Sequence, residues 1–284
     1  MPANEVPSIN LNDGNTIPQL GFGVFQVDPE DTAQAVGEAL KAGYRHIDTA
    51  EMYGNERQVG EAIRASGLER DELFVTSKLN NGFHEPEDAR AAFESTLSDL
   101  GLEYVDLFLI HWPLPTRYGG DYVSTWQTLE EFRSEGRSRS IGTSNFQPAH
   151  LDRLAAETQT TPAVNQIESH PYFTNDSVRD YCHERGIAIE AWSPIAQGGV
   201  LEDPAITGIA DKARKTPAQV VLRWHIQRSN IVFPKSVTPS RIEENFDLFD
   251  FELGSGDMEA ITALDRGEDG RTGPHPDTFD YVPG

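Results

Sequence analysis

The chain has 284 residues, 37% of them hydrophobic, a formal net charge of −23 and a single cysteine. Such acidity argues against nucleic acid or an anionic membrane surface as partner, and one cysteine excludes an internal disulfide. No apolar run approaches the ~20 residues that span a bilayer. The first residues, "MPANEVPSINLNDGN", lack the basic-then-apolar order of a secretory signal, so a cytoplasmic protein is expected.

The opening stretch "INLNDGNTIPQLGFGVFQV" sets Asp13-Gly14 between short apolar runs, which predicts a β-hairpin. Beyond it the chain alternates. Short β-branched runs occur at "LGFGVF", "HIDTA", "LFVTSKL", "VDLFLIHW", "SIGTSN", "AVNQIES", "AIEAWSP" and "IVFPKSV", eight in all. Between them lie helix-like stretches such as "DPEDTAQAVGEALKAG" and "EPEDARAAFESTLSDLG", with acidic first turns and a closing glycine. Their apolar residues recur at helical spacing, so one face packs on a sheet. Cys182, within "NDSVRDYCHERG", reads as a buried helical thiol.

Eight strands of nearly continuous apolar character, separated by helices, predict an α/β fold with a parallel sheet. Eight is the number that closes a (β/α)8 TIM barrel; an open doubly wound sheet is the alternative. A dinucleotide fingerprint of the Rossmann kind fails, because Gln26 follows Gly21 and Gly23 where a third glycine should stand. Residues 1–284 read as a single domain. An N-terminal hairpin over 1–19 plugs the barrel floor, and a Gly/Pro-rich tail over 267–284 forms a loop over the mouth.

TIM-barrel active sites lie at the C-terminal ends of the strands. Residues that a strand does not need gather at that end: Asp48 with Tyr53 just beyond, Lys78, His111-Trp112, Ser144-Asn145, Asn165-Gln166, Trp192-Ser193 and Lys235-Ser236. Each has a structural reading taken singly. Lys78 could pair with Asp48 for structure alone, His111 could be a core histidine, Trp112 and Trp192 could be packing, and Glu243 and Glu244 could neutralise Lys235 and Arg241. Their common placement favours a site. A tyrosine has a pKa near 10 and is a poor acid at neutral pH. A neighbouring lysine lowers that pKa, an aspartate holds the lysine charged, and a histidine can orient a substrate oxygen. Such a set protonates a carbonyl oxygen while a cofactor supplies hydride to the carbon. Ser144, Asn145 and Gln166 carry the donors and acceptor that a nicotinamide carboxamide needs, and Trp192 a face to stack on it. "PKSVTPSRIEEN" opens a helix where such barrels bind phosphate, and Lys235 and Arg241 there favour NADP(H) over NAD(H).

Over almost its whole length the sequence resembles the aldo-keto reductases. The likeness is carried by "LNDGNTIPQLGFGVFQV", "YRHIDTAEMYGNE", "VDLFLIHWP", "SIGTSNF", "AVNQIESHPY", "PKSVTPSRIEEN" and "FDLFDFEL". "TPAQVVLRWHIQ" and the tail "HPDTFDY" are most similar to actinobacterial members related to the 2,5-diketo-D-gluconate reductases. The resemblance implies a TIM barrel that binds NADPH/NADP+ and puts the family's catalytic tetrad on Asp48, Tyr53, Lys78 and His111, with Tyr53 as general acid. It implies cofactor contacts at Gly23, Val24, Ser144, Asn145, Gln166 and Trp192, a pyrophosphate loop at Ser193, Ile195, Gln197 and Gly198, and an adenosine end at Lys235, Ser236, Val237, Thr238, Arg241, Glu244 and Asn245. Phe22, Phe25, His111, Trp112 and the tail would wall the substrate pocket. Two positions depart from many relatives: Asn80 where tryptophan is common, and Trp192 where tyrosine or phenylalanine is common. The expected activity is reduction of an aldehyde or ketone by a monomer, on a diketo sugar acid, a small dicarbonyl or an aromatic aldehyde. The rivals are an NADPH-binding sensor and an isomerase or aldolase with Lys78 as Schiff base.

Overall fold

The computed structural model describes residues 6–283. Strands β1 (Ser8–Asn10) and β2 (Thr16–Pro18) pair antiparallel, with Ile9 opposite Ile17. The turn between them is the expected Asp13-Gly14, where the Asp13 side chain accepts the Asn15 N–H. Leu11 and Ile17 of this hairpin are buried against Phe74, Leu107, Val164 and Ile231, which lie low in the barrel, so the hairpin closes its floor. Residues 1–5 of the predicted hairpin segment and residue 284 of the tail lie outside the described residues.

Eight strands follow: β3 (Phe22–Gly23), β4 (His46–Asp48), β5 (Phe74–Leu79), β6 (Val105–Ile110), β7 (Ser138–Ser144), β8 (Val164–Glu168), β9 (Ala188–Trp192) and β10 (Ile231–Val232). Each is parallel to the next in chain order. A parallel bridge from Leu20 to Val232, with Gly21 N donating to Val232 O at 2.8 Å, brings the first strand to the last and closes the ring. Hence the barrel, not the open sheet. The first and last strands are only two residues long, shorter than the apolar runs "LGFGVF" and "IVFPKSV" that contain them. Pro234 ends the last one, since proline has no N–H for a ladder.

The helices on the outside are α1 (Pro29–Ala42), α2 (Glu56–Ser66), α3 (Pro86–Leu100), α4 (Val123–Ser134), α5 (Pro148–Glu157), α6 (Asp176–Glu184), α7 (Pro204–Ala213), α8 (Pro217–Gln227), α9 (Pro239–Phe246) and α10 (Ser255–Thr262). In α1 a proline opens the first turn, Glu30 and Asp31 face its positive end, and Gly43 stops it in the left-handed region. In α3 the buried residues Ala89, Phe93, Thr96 and Leu100 recur every three or four positions. Phe93 stacks on Phe132 of α4 with ring centroids 4.2 Å apart and tilts against Phe108 of β6 at 4.6 Å. Emptying that junction by Phe93→Ala would cost about 3–5 kcal/mol. Cys182 is buried on α6, as its context predicts.

The tail returns over the C-terminal ends of the strands. Phe279 packs on Trp112 at 4.3 Å, Asn81 Nδ2 donates to Tyr281 O at 2.9 Å, and the Thr272 and Gly273 amides donate to Glu168. Among the described residues no helix is long and apolar enough to cross a membrane.

Candidate active site

The ends of β4 and β5 bring Asp48 and Lys78 together inside the barrel, in neighbouring strands whose ladder sets Asp48 beside Thr76. Lys78 is 0% exposed. Its ammonium has three hydrogens, and each has an oxygen: Asp48 Oδ1 at 2.7 Å, Thr49 O at 2.8 Å and Tyr53 Oη at 3.3 Å. Tyr53 sits in the short 3-10 turn Glu51–Tyr53 directly after β4. Asn55, fully buried, fixes that turn by donating to Val24 O and Val27 O and accepting from Thr49 Oγ1. His111, one residue past β6, meets the Tyr53 ring edge-on with centroids 5.8 Å apart. All four predicted residues therefore converge.

Burial and the Lys78 charge together hold His111 well below the usual histidine range, so its imidazole is neutral. Neither ring nitrogen has a partner among the described residues, and Nδ1 is buried. Burial alone would lower Lys78, but Asp48, Tyr53 and Glu190 reverse this and leave it above its ordinary value. Burial raises Asp48, against the opposing pull of Lys78 and Gln166. For Tyr53 the expected downward pull of Lys78 is present, yet burial outweighs it, and the phenol as it stands lies above its ordinary range. The lysine thus limits a rise rather than producing a net fall. Held charged by Asp48 and hydrogen-bonded through all three hydrogens, the Lys78 ammonium presents no lone pair to a carbonyl, which weighs against the Schiff-base alternative.

The β7 and β8 ends carry Ser144, Asn145 and Gln166. Asn145 adopts φ 66°. Its Nδ2 donates to His111 O and Ser144 Oγ, and its Oδ1 accepts from Trp192 Nε1 at 2.8 Å. Ser144 Oγ donates to the Gln166 carbonyl. Gln166 Nε2 reaches across the barrel to Asp48 Oδ2 at 2.9 Å and sideways to Glu190 Oε2 at 2.7 Å. Trp192 is half-buried; Gly273 of the tail lies so close that a Cβ there would strike its ring. After β9 the backbone turns left-handed at Ser193, Ala196, Gln197 and Gly198, a run of unfavoured conformations of the kind that functional loops retain. Ile195 packs between two core clusters.

At the end of β10, Lys235 and Arg241 are exposed and make no ion pair among the described residues, so Glu243 and Glu244 do not neutralise them. Glu244 instead accepts from Thr216 Oγ1 at 2.8 Å. Ser236 Oγ accepts the Thr238 N–H ahead of α9, Val237 is half exposed and Asn245 is buried. Lys235 through Thr238 and Arg241 lie at the N-terminal end of α9, where free amides and the helix dipole favour an anion, whereas Glu244 and Asn245 lie in its last turn. Gly23 lies against the Phe233 carbonyl, leaving no room for a Cβ, and Val24 N is bound to Asp48 O.

Two expectations need correction. Phe22 is 1% exposed and packs edge-on against Tyr44 in the core, away from the mouth, whereas Phe25 is 54% exposed and lies 5.0 Å from the Tyr53 ring. Asn165 points outward, donating to Phe146 O and toward Cys182, and only Gln166 faces inward. Alternation of side chains along a strand explains both. The residues that spacing did not mark are Asn55, Glu190, Glu168 and Phe279. Glu190 carried a signal, a carboxylate in the middle of the apolar run "AIEAW". A cavity of about 570 Å³ lined by Asn15, Glu130, Arg133 and Arg139 opens at the opposite, floor end and contains none of this chemistry.

The donor set fits a nicotinamide dinucleotide phosphate. His111 Nδ1 is buried and unpartnered, the Gln166 side-chain oxygen has no partner among the described residues, and two exposed cations flank a helix N-terminus. No group of three or more metal-ligating side chains occurs among the described residues.

Fold and site together define a class: a closed (β/α)8 barrel with a lysine, carboxylate, phenol and imidazole cluster at its mouth. Residues 19–266 match the model of the aldo/keto reductase family, and the chain belongs to that family. It is 52% identical to an aldo-keto reductase of Mycolicibacterium smegmatis over 97% of this chain and 99% of that protein. It is 46% identical to the glyoxal reductase of Bacillus subtilis, over 98% and 99% of the two chains. The crystal structure of a Gox0644 variant in complex with NADPH superposes with a TM-score of 0.93 at 43% identity, covering 98% of this chain and all of that one.

Proposed function

We propose that this protein reduces aldehydes and ketones to alcohols with NADPH, using Tyr53 as general acid. The observation that carries the reading is the contact of Lys78 Nζ with both Asp48 Oδ1 and Tyr53 Oη inside a buried site. Bound NADPH supplies the hydride. Tyr53 Oη gives its proton to the carbonyl oxygen, and Lys78, held charged by Asp48, stabilises the phenolate that remains. His111, neutral, donates a hydrogen bond that orients the carbonyl.

Ser144, Asn145, Gln166 and Trp192 hold the nicotinamide end beside Gly23 and Val24. Ser193, Ile195, Gln197 and Gly198 cover the pyrophosphate. Lys235, Ser236, Val237, Thr238, Arg241, Glu244 and Asn245 take the adenosine 2′-phosphate end. The substrate meets Phe25, Trp112 and the tail. A small dicarbonyl of the glyoxal kind is the favoured substrate, supported by the name of the Bacillus subtilis relative. We assign the enzyme to the cytoplasm as a monomer acting through one domain, on the strength of its acidic composition and its single buried thiol. A cofactor sensor needs no proton donor, and the complete cluster weighs against one.

Loss of NADPH absorbance against a panel of carbonyls tests the reading. Turnover led by small dicarbonyls is expected. Tight NADPH binding with no turnover of any carbonyl would overturn it in favour of the sensor.

A further inference from the structure

The barrel axis holds a second buried carboxylate. Glu190 lies in the middle of β9, is 0% exposed and pairs in register with Gln166 of β8. The two hydrogens of the Gln166 amide nitrogen go to Glu190 Oε2 at 2.7 Å and to Asp48 Oδ2 at 2.9 Å. Turning the amide end for end would set its oxygen against the Asp48 carboxylate, which is paired with Lys78 and has no hydrogen to give, so Asp48 fixes this orientation. The Gln166 oxygen is thereby turned away from both carboxyl groups and left unpartnered. The other amide oxygen of the set, Asn145 Oδ1, is taken by Trp192 Nε1.

We propose that Glu190 is a positioning residue: by taking one Gln166 hydrogen while Asp48 takes the other, it presents the Gln166 oxygen as the acceptor for the carboxamide N–H of the nicotinamide. The inference rests on the NADPH reading above. Burial and the nearby Asp48 push the Glu190 carboxyl up to about 8, so it is largely protonated at neutral pH and acts through an uncharged oxygen. His46 Nε2, 3.8 Å from Glu190 Oε1, is engaged with Thr76 and does not compete for Gln166. Positioning therefore needs an acceptor at this point, not a charge.

The test compares dissociation constants for NADPH and its 3-acetylpyridine analogue, in which a methyl ketone replaces the carboxamide and offers no N–H. Quenching of tryptophan fluorescence reads both without turnover. The wild type should bind the analogue about tenfold more weakly, the scale of one buried hydrogen bond. Glu190→Met, which cannot accept, should bring that ratio below about twofold, and Glu190→Gln, which can, should keep it. Glu190→Asp retracts the carboxyl by one methylene and should behave like Glu190→Met, which keeps the test decisive if Glu190→Met fails to fold. A purely structural Glu190 would lower the melting midpoint and weaken both ligands alike with the ratio intact; that result, or a wild type that binds both ligands equally, overturns the inference alone. A wild type that binds neither overturns the NADPH reading, and this inference with it.

Discussion

The Lys78 ammonium and the Asp48 carboxylate meet at 2.7 Å, both buried. Lys78 also touches the Tyr53 hydroxyl, so one cation serves a structural pair and a proton donor. Lys78→Met should lower kcat by about 10²–10⁴-fold, the usual weight of a proton-transfer arrangement. It also strands a buried carboxyl, at a cost of about 3–5 kcal/mol in stability. Kinetics and thermal unfolding of the same variant check both, and a variant with near-normal kcat would remove Lys78 from the mechanism.

Tyr53→Phe separates binding from chemistry. The phenol oxygen touches Lys78, whereas the ring faces His111 and Phe25, and phenylalanine keeps that packing. Reduction should fall by at least about 10²-fold while the dissociation constant for NADPH changes by less than about threefold. Residual turnover near the wild-type rate would show that another group donates the proton.

How much of this was legible can be argued from single residues. Parallel barrel strands are buried on both faces, so Asp48 and Lys78 stood out in apolar runs as groups that must be bound or used. Phe22 and Asn165 were harder, because the strand end marks a neighbourhood and only the two-residue alternation decides which side chain enters it. Gln166 and Glu190 are a different matter. Gln166 bonds Asp48 across the barrel, 118 positions away, and Glu190 joins them through Gln166; no spacing in the chain encodes that approach. The net rise of the Tyr53 pKa was likewise hidden, since it depends on the depth of burial rather than on which residues are near. The tail's hold on Glu168 and Trp112 comes from closure of the ring, which only the folded chain supplies.

Arg241 tests the choice of cofactor. It lies exposed in the first turn of α9, free of carboxylates among the described residues, and Lys235 just ahead of that helix is exposed as well. A guanidinium so placed can form charge-assisted bonds to a phosphate ester. Arg241→Ala should weaken NADPH by about 10–100-fold and leave NADH nearly unchanged. Equal loss for both dinucleotides would show that Arg241 does not read the 2′-phosphate.

Buried histidines and glutamates set opposite limits on stability against pH. Burial holds His46 and His225 down to about 3 and His84 to about 4, from an ordinary 6.5. These rings stay neutral in the fold while the unfolded chain takes protons as pH falls below 6.5. Their contribution is complete above 6.5 and is lost toward 3, at about 1.4 kcal/mol per pH unit for each ring. Glu56 and Glu190 run the other way: burial pushes them up to about 7 and about 8, so the fold keeps two protons that the unfolded chain releases near 4.5. Their contribution is complete below 4.5 and is lost as pH rises through 7 and 8. Between 4.5 and 6.5 these three histidines, joined by the lowered His111, His150 and His183, outnumber Glu56 and Glu190 with the raised Asp48, Glu51 and Asp106, and stability should still climb. The thermal midpoint at fixed ionic strength should therefore peak near pH 6.5 and decline toward pH 8. Glu190→Gln, which has no proton to release, should flatten the decline between pH 7 and 8. A wild-type midpoint that kept rising from pH 7 to 8 would mean that the buried carboxyls are already ionised in the fold.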